Sequence, residues 1–242
     1  MNNRDVRTSP QVYARLGGIF YLIIIVVGTL GEVFVRSRLV VGGNPAATAD
    51  RMMASEFLWR ASVASELFML ACAVPLALIF YLLLRPVNRD LALLAAFFNL
   101  VSIALEASNK LRLMDALVPL ANADYLRVLA VEQLHMLAYL SIRSHAYGFG
   151  VALIFFGCVC LIVGYLIAGS GYLPSLLGVL MQIAGLCYLT NSFALILSPP
   201  FAARLFPEIL LPAFVAEASL CVWLLTKGVN VSAWNARVDA AS

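Results

Sequence analysis

The chain has 242 residues, of which 63% are hydrophobic and only 12% are charged, and its formal net charge is +3 at pH 7. Soluble domains are about half apolar and about a quarter charged, so this composition predicts an integral membrane protein and excludes a sizeable soluble domain. The small net charge and the scattered arginines argue against a nucleic-acid partner.

Six apolar runs are long enough to cross a hydrocarbon core about 30 Å thick as α-helices. The sequence therefore predicts an all-α fold, a polytopic transmembrane bundle of six spans with short interfacial helices. The predicted spans cover residues 13–35, 59–84, 91–120, 145–168, 173–197 and 206–226. Together they form one bundle over residues 13–227, with tails at 1–12 and 228–242.

The first span follows Arg4, Arg7 and Arg15, a charged start that resembles a signal peptide. Its apolar run continues to Val35, which is too long for a cleaved signal, and no small-x-small cleavage motif is visible. We therefore expect this run to be retained as a membrane span.

Two segments beside the spans have helical patterns of their own. Residues 46–58 alternate apolar and charged faces and predict a short interfacial helix. The pattern over 132–168 is unbroken for about 55 Å, so its first turns are expected to project beyond the membrane. Trp234 in the tail is a candidate interfacial anchor.

Proline and glycine residues predict the shape and packing of individual spans. Pro75 should kink the second span. Gly150, Gly157 and Gly164 recur every seven residues and predict a smooth seam against a neighbouring helix.

Six spans place both termini on one side of the membrane. Lys and Arg number seven on the side of the termini and nine on the other, which does not decide the orientation. We expect cytoplasmic termini, because the outer segments are longer and share their cations with acidic residues, and because the short turn at 85–89 is dense in arginine. The expected location is a bacterial inner membrane.

Polar side chains from different spans fall at two levels, measured from the shared end of the spans. Glu32, Glu66, Glu106 and Asn191 are each about 24–27 Å deep at 1.5 Å per residue, with Asn109 and His145 somewhat further out. Asn99, Gln182 and Glu217 are roughly 13–15 Å deep, near the midplane.

The outer level predicts a ligand-binding site formed by Glu32, Glu66, Glu106, Asn109, His145 and Asn191. Carboxylates and an imidazole at one level suit a divalent cation, and crowded carboxylates also suit proton-coupled transport. The sequence assigns no catalytic residue and no cofactor.

Structural roles explain the same residues. Arg60, Lys110, Arg112 or Arg143 would form ion pairs with the glutamates. A protonated Glu217 would bond to Gln182 or Asn99. His145 would be an interfacial histidine, and Tyr188 a packing aromatic.

Four segments resemble a bacterial multi-pass membrane family called domain of unknown function 4386. They read YARLGGIFY at 13–21, LVVGGNPAATADRMMASEFLW at 39–59, LRPVNRDLALLAAFFNL at 84–100 and HAYGFGVALIFFGCVCLIVGYLIAGSGYLPSLLGVL at 145–180. The chain departs from the family at Ala146, where the family tends to have Gly, and at Val131, where it often has Pro. The resemblance implies a helical bundle without an assigned activity, and it gives no residue a role.

Three functions follow as hypotheses. The first is binding or transport of a small polar, cationic or lipid ligand in a carboxylate-lined cavity in the outer half of the bundle. The second is a non-catalytic membrane subunit or sensor whose glycine seam faces another protein. The third is a metal-dependent intramembrane hydrolase, which lacks a paired-histidine motif. Besides the lipid bilayer, a second copy of the chain is a candidate partner.

Overall fold

The computed structural model describes residues 9–121 and 123–240, and within them every regular element is helical. In chain order the helices are α1 (Pro10–Leu39), α2 (Pro45–Ala54), α3 (Glu56–Leu84), α4 (Arg89–Asp115), α5 (Val131–Ala168), α6 (Ser175–Leu197), α7 (Pro199–Leu205), α8 (Leu211–Thr226) and α9 (Val231–Ala240). Six of them, α1, α3, α4, α5, α6 and α8, are long and apolar enough to cross a membrane, the last together with the short 3-10 turn that precedes it from Glu208. The predicted all-α membrane bundle of six spans is therefore confirmed.

The six spans form a closed ring in which each packs against its neighbours in the chain. α1 contacts α3, α3 contacts α4, α4 contacts α5, α5 contacts α6, α6 contacts α8, and α8 returns to α1. Successive spans run in opposite directions. We call the end with the 85–88 and 169–174 turns the proximal end, and the end with α2 and α7 the distal end.

Short polar residues fix where several helices begin. The Asn88 side chain accepts a hydrogen bond from the Leu91 backbone N–H at 3.0 Å, and Asn44 does the same for Ala47 at 3.0 Å. Each asparagine satisfies one of the free N–H groups of a first helical turn. These caps start α4 directly after a tight proximal turn, and α2 directly after the break that follows α1.

Two predicted segments differ in the structure. The interfacial helix α2 ends at Ala54, because Ser55 leaves helical geometry before α3 begins. The chain after Lys227 forms α9, and the Trp234 indole N–H donates to the Leu83 carbonyl oxygen at 3.1 Å. Trp234 therefore docks onto the proximal end of the bundle, where the sequence suggested an interfacial anchor. The long helix over 132–168 is continuous, as expected, and begins at Val131.

The glycine seam lies between α5 and α6. A Cβ on Gly157 would lie 3.1 Å from the Gly185 carbonyl oxygen, and one on Gly164 would lie 2.6 Å from that of Gly178. Only glycine lets these two backbones approach so closely. The seam therefore packs against a neighbouring helix of this chain, as the spacing of seven residues predicts, and these glycines do not face another protein in this structure.

We expect Gly164→Ala to lower the free energy of unfolding by about 1–3 kcal/mol, the usual cost of overpacking. The added methyl would meet backbone atoms of α6, which a rotamer change cannot move. Gly28→Ala is the matched control, because its Cβ would meet only the Met69 sulfur, at 3.5 Å. Denaturation in mixed micelles measures both, and equal effects would contradict the close contact.

Buried apolar side chains form two separate clusters. The larger one fills the bundle towards the proximal end. The smaller one lies at the distal end, and we call it the distal cap: Val35, Leu39, Met52, Trp59, Val63, Leu113, Ala116, Leu117 and Ile142. Trp59 is 1% exposed, and its indole N–H donates to the Leu113 carbonyl oxygen at 2.8 Å. The polar level predicted from the sequence falls between these two clusters.

Candidate functional site

Four neighbouring spans bring charged or titratable side chains to one level beneath the distal cap. Each lies about one helical turn from a cap residue on the same helix. The pairs are Glu32 and Val35 on α1, Val63 and Glu66 on α3, Lys110 and Leu113 on α4, and Ile142 and His145 on α5. This repeated spacing stacks an apolar layer directly on a polar one.

Glu66 is the centre of the polar layer. Its Oε1 lies 2.5 Å from Arg36 Nη1, and its Oε2 lies 2.6 Å from Lys110 Nζ. The Ser62 hydroxyl adds a hydrogen bond to Oε1 at 3.2 Å. A Cβ on Gly31 would collide with Oε1, so the absence of a side chain there leaves room for the carboxylate. Glu66 is only 1% exposed, and two cations balance its charge.

The two cations extend this contact into a row across three helices. Arg36 Nε contacts Glu32 at 2.6 Å, and Lys110 Nζ contacts Glu106 at 3.0 Å, each four residues away on its own helix. The resulting order is Glu32–Arg36–Glu66–Lys110–Glu106, and we call it the ionic chain. Glu32 is 59% exposed, whereas Lys110 is 2% exposed. The ionic chain therefore begins at the surface with Glu32, is most buried at Glu66 and Lys110, and ends at Glu106, whose side chain is 15% exposed.

The backbone of α1 is irregular at the residues that this helix contributes to the site. Residues Leu30–Arg36 form a π-helical stretch, which holds Gly31, Glu32 and Arg36. π-Helical turns are rare and occur frequently at functional sites. The irregular turn contains both α1 members of the ionic chain.

His145 and Asn109 lie beside the ionic chain but are not members of it. Asn109 Nδ2 donates to the His145 backbone oxygen at 2.9 Å, so the imidazole itself is not its partner. The imidazole stacks on Phe149 with the planes 8° apart, and it interacts electrostatically with Lys110 and Glu66. His145 is 7% exposed, and its Nε2 has no hydrogen-bond partner within the described ranges. A buried polar atom is thus left open beside the charges.

Two other predicted polar residues lie apart from this site. Asn191 is buried on α6, but no hydrogen bond or ion pair in the described part of the chain joins it to the ionic chain. Asn99 borders a void of about 10 Å³ between α3, α4 and α5. Such a volume holds one water molecule at most.

The glutamate near the midplane has different partners from those expected. Tyr21 donates its hydroxyl to Glu217 Oε2 at 3.0 Å, and the Tyr188 hydroxyl donates to Oε1. The expected bond to Gln182 or Asn99 is absent among the described contacts, because Asn99 is on α4, which is not beside α8 in the ring, and Gln182 is on the side of α6 that faces α5. Gln182 instead packs beside Gly164 on α5. Tyr188, expected to be a packing aromatic, is a hydrogen-bond donor to a buried carboxyl group.

Sequence reasoning identified only part of the ion pairing. Lys110 was one of four candidate cations, whereas Arg60 pairs with Glu56 on the surface and Arg112 pairs with Asp115. Arg36 was missed, because the apolar run ends at Val35 although the helix continues. The spacing of four residues from Glu32 to Arg36 was the signal available in the sequence. These contacts leave the centre of the layer packed, so the structure does not show the open cavity that was expected.

The comparisons with known proteins give a family without an activity. A family model described as "Domain of unknown function (DUF4386)" matches residues 16–228. An "Uncharacterized protein" from Archaeoglobus fulgidus is 28% identical over 159 residues, which cover 66% of this chain and 78% of that protein. No solved structure matches the chain. Neither the family nor this relative therefore assigns the chain an activity.

Proposed function

The chain belongs to the DUF4386 family, whose description names no activity, and from that premise we propose that it binds or transports a small polar ligand at the ionic chain. One observation carries the proposal: the most buried members of the ionic chain lie near an imidazole nitrogen that has no hydrogen-bond partner within the described residues. The side chains of Glu66 and Lys110 are 1% and 2% exposed, and in the tautomer that leaves Nε2 unprotonated, His145 would offer a hydrogen-bond acceptor near them.

A contribution to folding stability does not by itself explain such a polar layer. Removing charges from water costs several kcal/mol per ion, and replacing a buried ion pair by well-packed apolar residues is often neutral or stabilising. Ionisable residues inside membrane spans usually mark a pathway or a binding site. These costs support a role for the layer beyond holding the helices together.

The ion pairs already formed, and not the sum of three carboxylates and two cations, favour a neutral polar ligand over a cation. Both oxygens of Glu66 already contact cations of the chain, and Glu106 contacts Lys110. A cationic ligand would have to displace Arg36 or Lys110. A hydroxyl or amide group would instead donate a hydrogen bond to His145 Nε2, which is costly to leave buried without a partner.

The two other hypotheses receive less support. The glycine seam that suggested a partner protein is used within the bundle, between α5 and α6. For the hydrolase, residues 9–121 and 123–240 contain no group of three His, Cys, Asp or Glu side chains arranged to hold a metal ion. We therefore adopt neither as a second candidate.

The test is a thermal-shift screen of the purified protein in lipid nanodiscs, with glycerol, monosaccharides, neutral amino acids, polyamines and short-chain lipids as probes. We expect a neutral polar probe to raise the melting temperature of the wild type. The shift should disappear in His145→Phe, which keeps the aromatic ring and removes the nitrogens. It should persist in His135→Phe, the matched control at the other histidine of the chain. Stabilisation by polyamines alone, by no probe, or equally in both variants would overturn the proposal.

A further inference from the structure

The ionic chain is closed off from both ends of the bundle. The large apolar cluster fills the proximal side, and the distal cap covers the other side. Ser62, which hydrogen-bonds to Glu66, is only 8% exposed. A solute that enters along the bundle axis therefore meets an apolar layer before it reaches Glu66 and Lys110, and this route requires part of the cap to move.

One cap residue differs from the others in the element that carries it. Eight of the nine lie on or next to the long spans, but Met52 belongs to α2, a helix of ten residues. Met52 is fully buried, and α2 packs mainly against α5. A break at Ser55 separates α2 from α3, and residues 40–44 separate it from α1. α2 is therefore the cap element that can leave without moving a span.

Exposed hydrogen bonds attach α2 and its leading loop to the bundle. The Gly43 backbone N–H donates to the Tyr139 hydroxyl on α5 at 2.8 Å, and Arg51 Nη1 donates to the Arg38 carbonyl oxygen at 2.8 Å. Gly43 has a φ of 73°, and a Cβ there would meet no atom within 4 Å. The loop is thus surrounded by open space at Gly42 and Gly43, whereas its first residue, Val40, packs against the distal cap. Net energies of exposed hydrogen bonds are small, so most of the cost of releasing α2 comes from exposing its buried residues Thr48, Ala49 and Met52.

We propose that α2 is a gate over the ionic chain, latched by the Gly43–Tyr139 hydrogen bond, and that its release admits polar solutes from the distal aqueous side. The proposal rests on the proposed function, because it names how that same site is reached. Closing buries Met52 in the distal cap and completes its apolar layer over Glu66 and Lys110. Opening removes one wall of that layer and leaves the six-span ring intact.

The test measures access to the site directly, without any ligand. Ser62→Cys is introduced into a protein whose five native cysteines have been replaced, and a charged methanethiosulfonate reagent is added to the protein in nanodiscs, where both faces are exposed. We expect slow modification in this parent. Tyr139→Phe should raise the rate roughly 2- to 10-fold, the shift in an opening equilibrium that corresponds to one hydrogen bond.

Two controls distinguish opening of the gate from a general loosening of the helical bundle. A protein that retains only native Cys160, which is fully buried in the large apolar cluster, should react equally slowly with and without Tyr139→Phe. Tyr147→Phe, at an exposed tyrosine of the same helix, should leave the Ser62→Cys rate unchanged. Fast modification of the parent, no acceleration by Tyr139→Phe, or equal acceleration at Cys160 would overturn the gate. Because no ligand is used, a failed ligand screen and a failed gate give different results.

Discussion

Lys110→Met is expected to lower the free energy of unfolding by about 3–5 kcal/mol, because removing one member of a buried ion pair leaves an uncompensated charge. The Lys110 ammonium contacts both Glu66 and Glu106. Without it Glu66 keeps Arg36, but Glu106 keeps no cation among the described contacts. Methionine has nearly the length of lysine, so the loss comes from charge and not from a cavity.

Replacing the inner members together should restore most of this stability. The triple variant Lys110→Met, Glu66→Met, Glu106→Gln leaves Arg36 paired with Glu32, and no unpaired carboxylate remains in the described contacts of the ionic chain. Apolar replacement of a complete buried ion pair is often neutral or stabilising. We expect this variant to fold and to show no thermal shift with the polar probes.

Denaturation in mixed micelles, followed by tryptophan fluorescence, measures these variants. Glu56→Gln is the control, because it breaks the exposed pair with Arg60 and should cost less than about 1 kcal/mol. A Lys110→Met variant as stable as this control would show that Lys110 is not bound in the ionic chain. A triple variant less stable than Lys110→Met would show that the layer is needed for folding, and would weaken its functional interpretation.

Depth along a helix can be read from the sequence, but position around the ring cannot. Counting residues placed Glu32, Glu66, Glu106 and Asn191 at one level. The first three meet through Arg36 and Lys110 because α1, α3 and α4 are consecutive in the ring. Asn191 is on α6, which lies further around the ring of helices. Its depth along that helix gave no information on the position of the helix in the ring.

Partners that depend on ring closure were also hidden from sequence reasoning. Gln182 and Asn99 were expected beside Glu217, because they have similar depths. The actual partners are Tyr21 on α1 and Tyr188 on α6, the spans on either side of α8. The contact between α8 and α1 joins opposite ends of the chain, and no local pattern encodes it. The ends of the spans were easier to predict, because apolar runs and the polar turns between them mark those ends.

Tyr21→Phe together with Tyr188→Phe is expected to cost about 2–6 kcal/mol, at about 1–3 kcal/mol for each acceptor left buried without a partner. Both rings remain, so their packing, including the edge contact of Tyr21 with Phe80, is kept. Only the two hydroxyl donors to Glu217 are lost. The control is Tyr147→Phe with Tyr165→Phe, two exposed tyrosines on α5, which should leave stability unchanged.

Adding Glu217→Leu to the Tyr21→Phe, Tyr188→Phe variant distinguishes the contribution of the carboxyl group to stability from that of the two aromatic rings. Replacing both sides of a buried hydrogen bond by apolar groups of similar shape is nearly neutral, so the triple variant should recover most of the lost stability in mixed-micelle denaturation. The spans α1, α6 and α8 would then meet through apolar contacts alone. A triple variant as unstable as the double one would mean that the tyrosine hydroxyls stabilise the ring closure through groups other than Glu217. Recovery of stability would instead show that burying the Glu217 carboxyl group destabilises the bundle, and that the hydroxyl groups of Tyr21 and Tyr188 offset this cost.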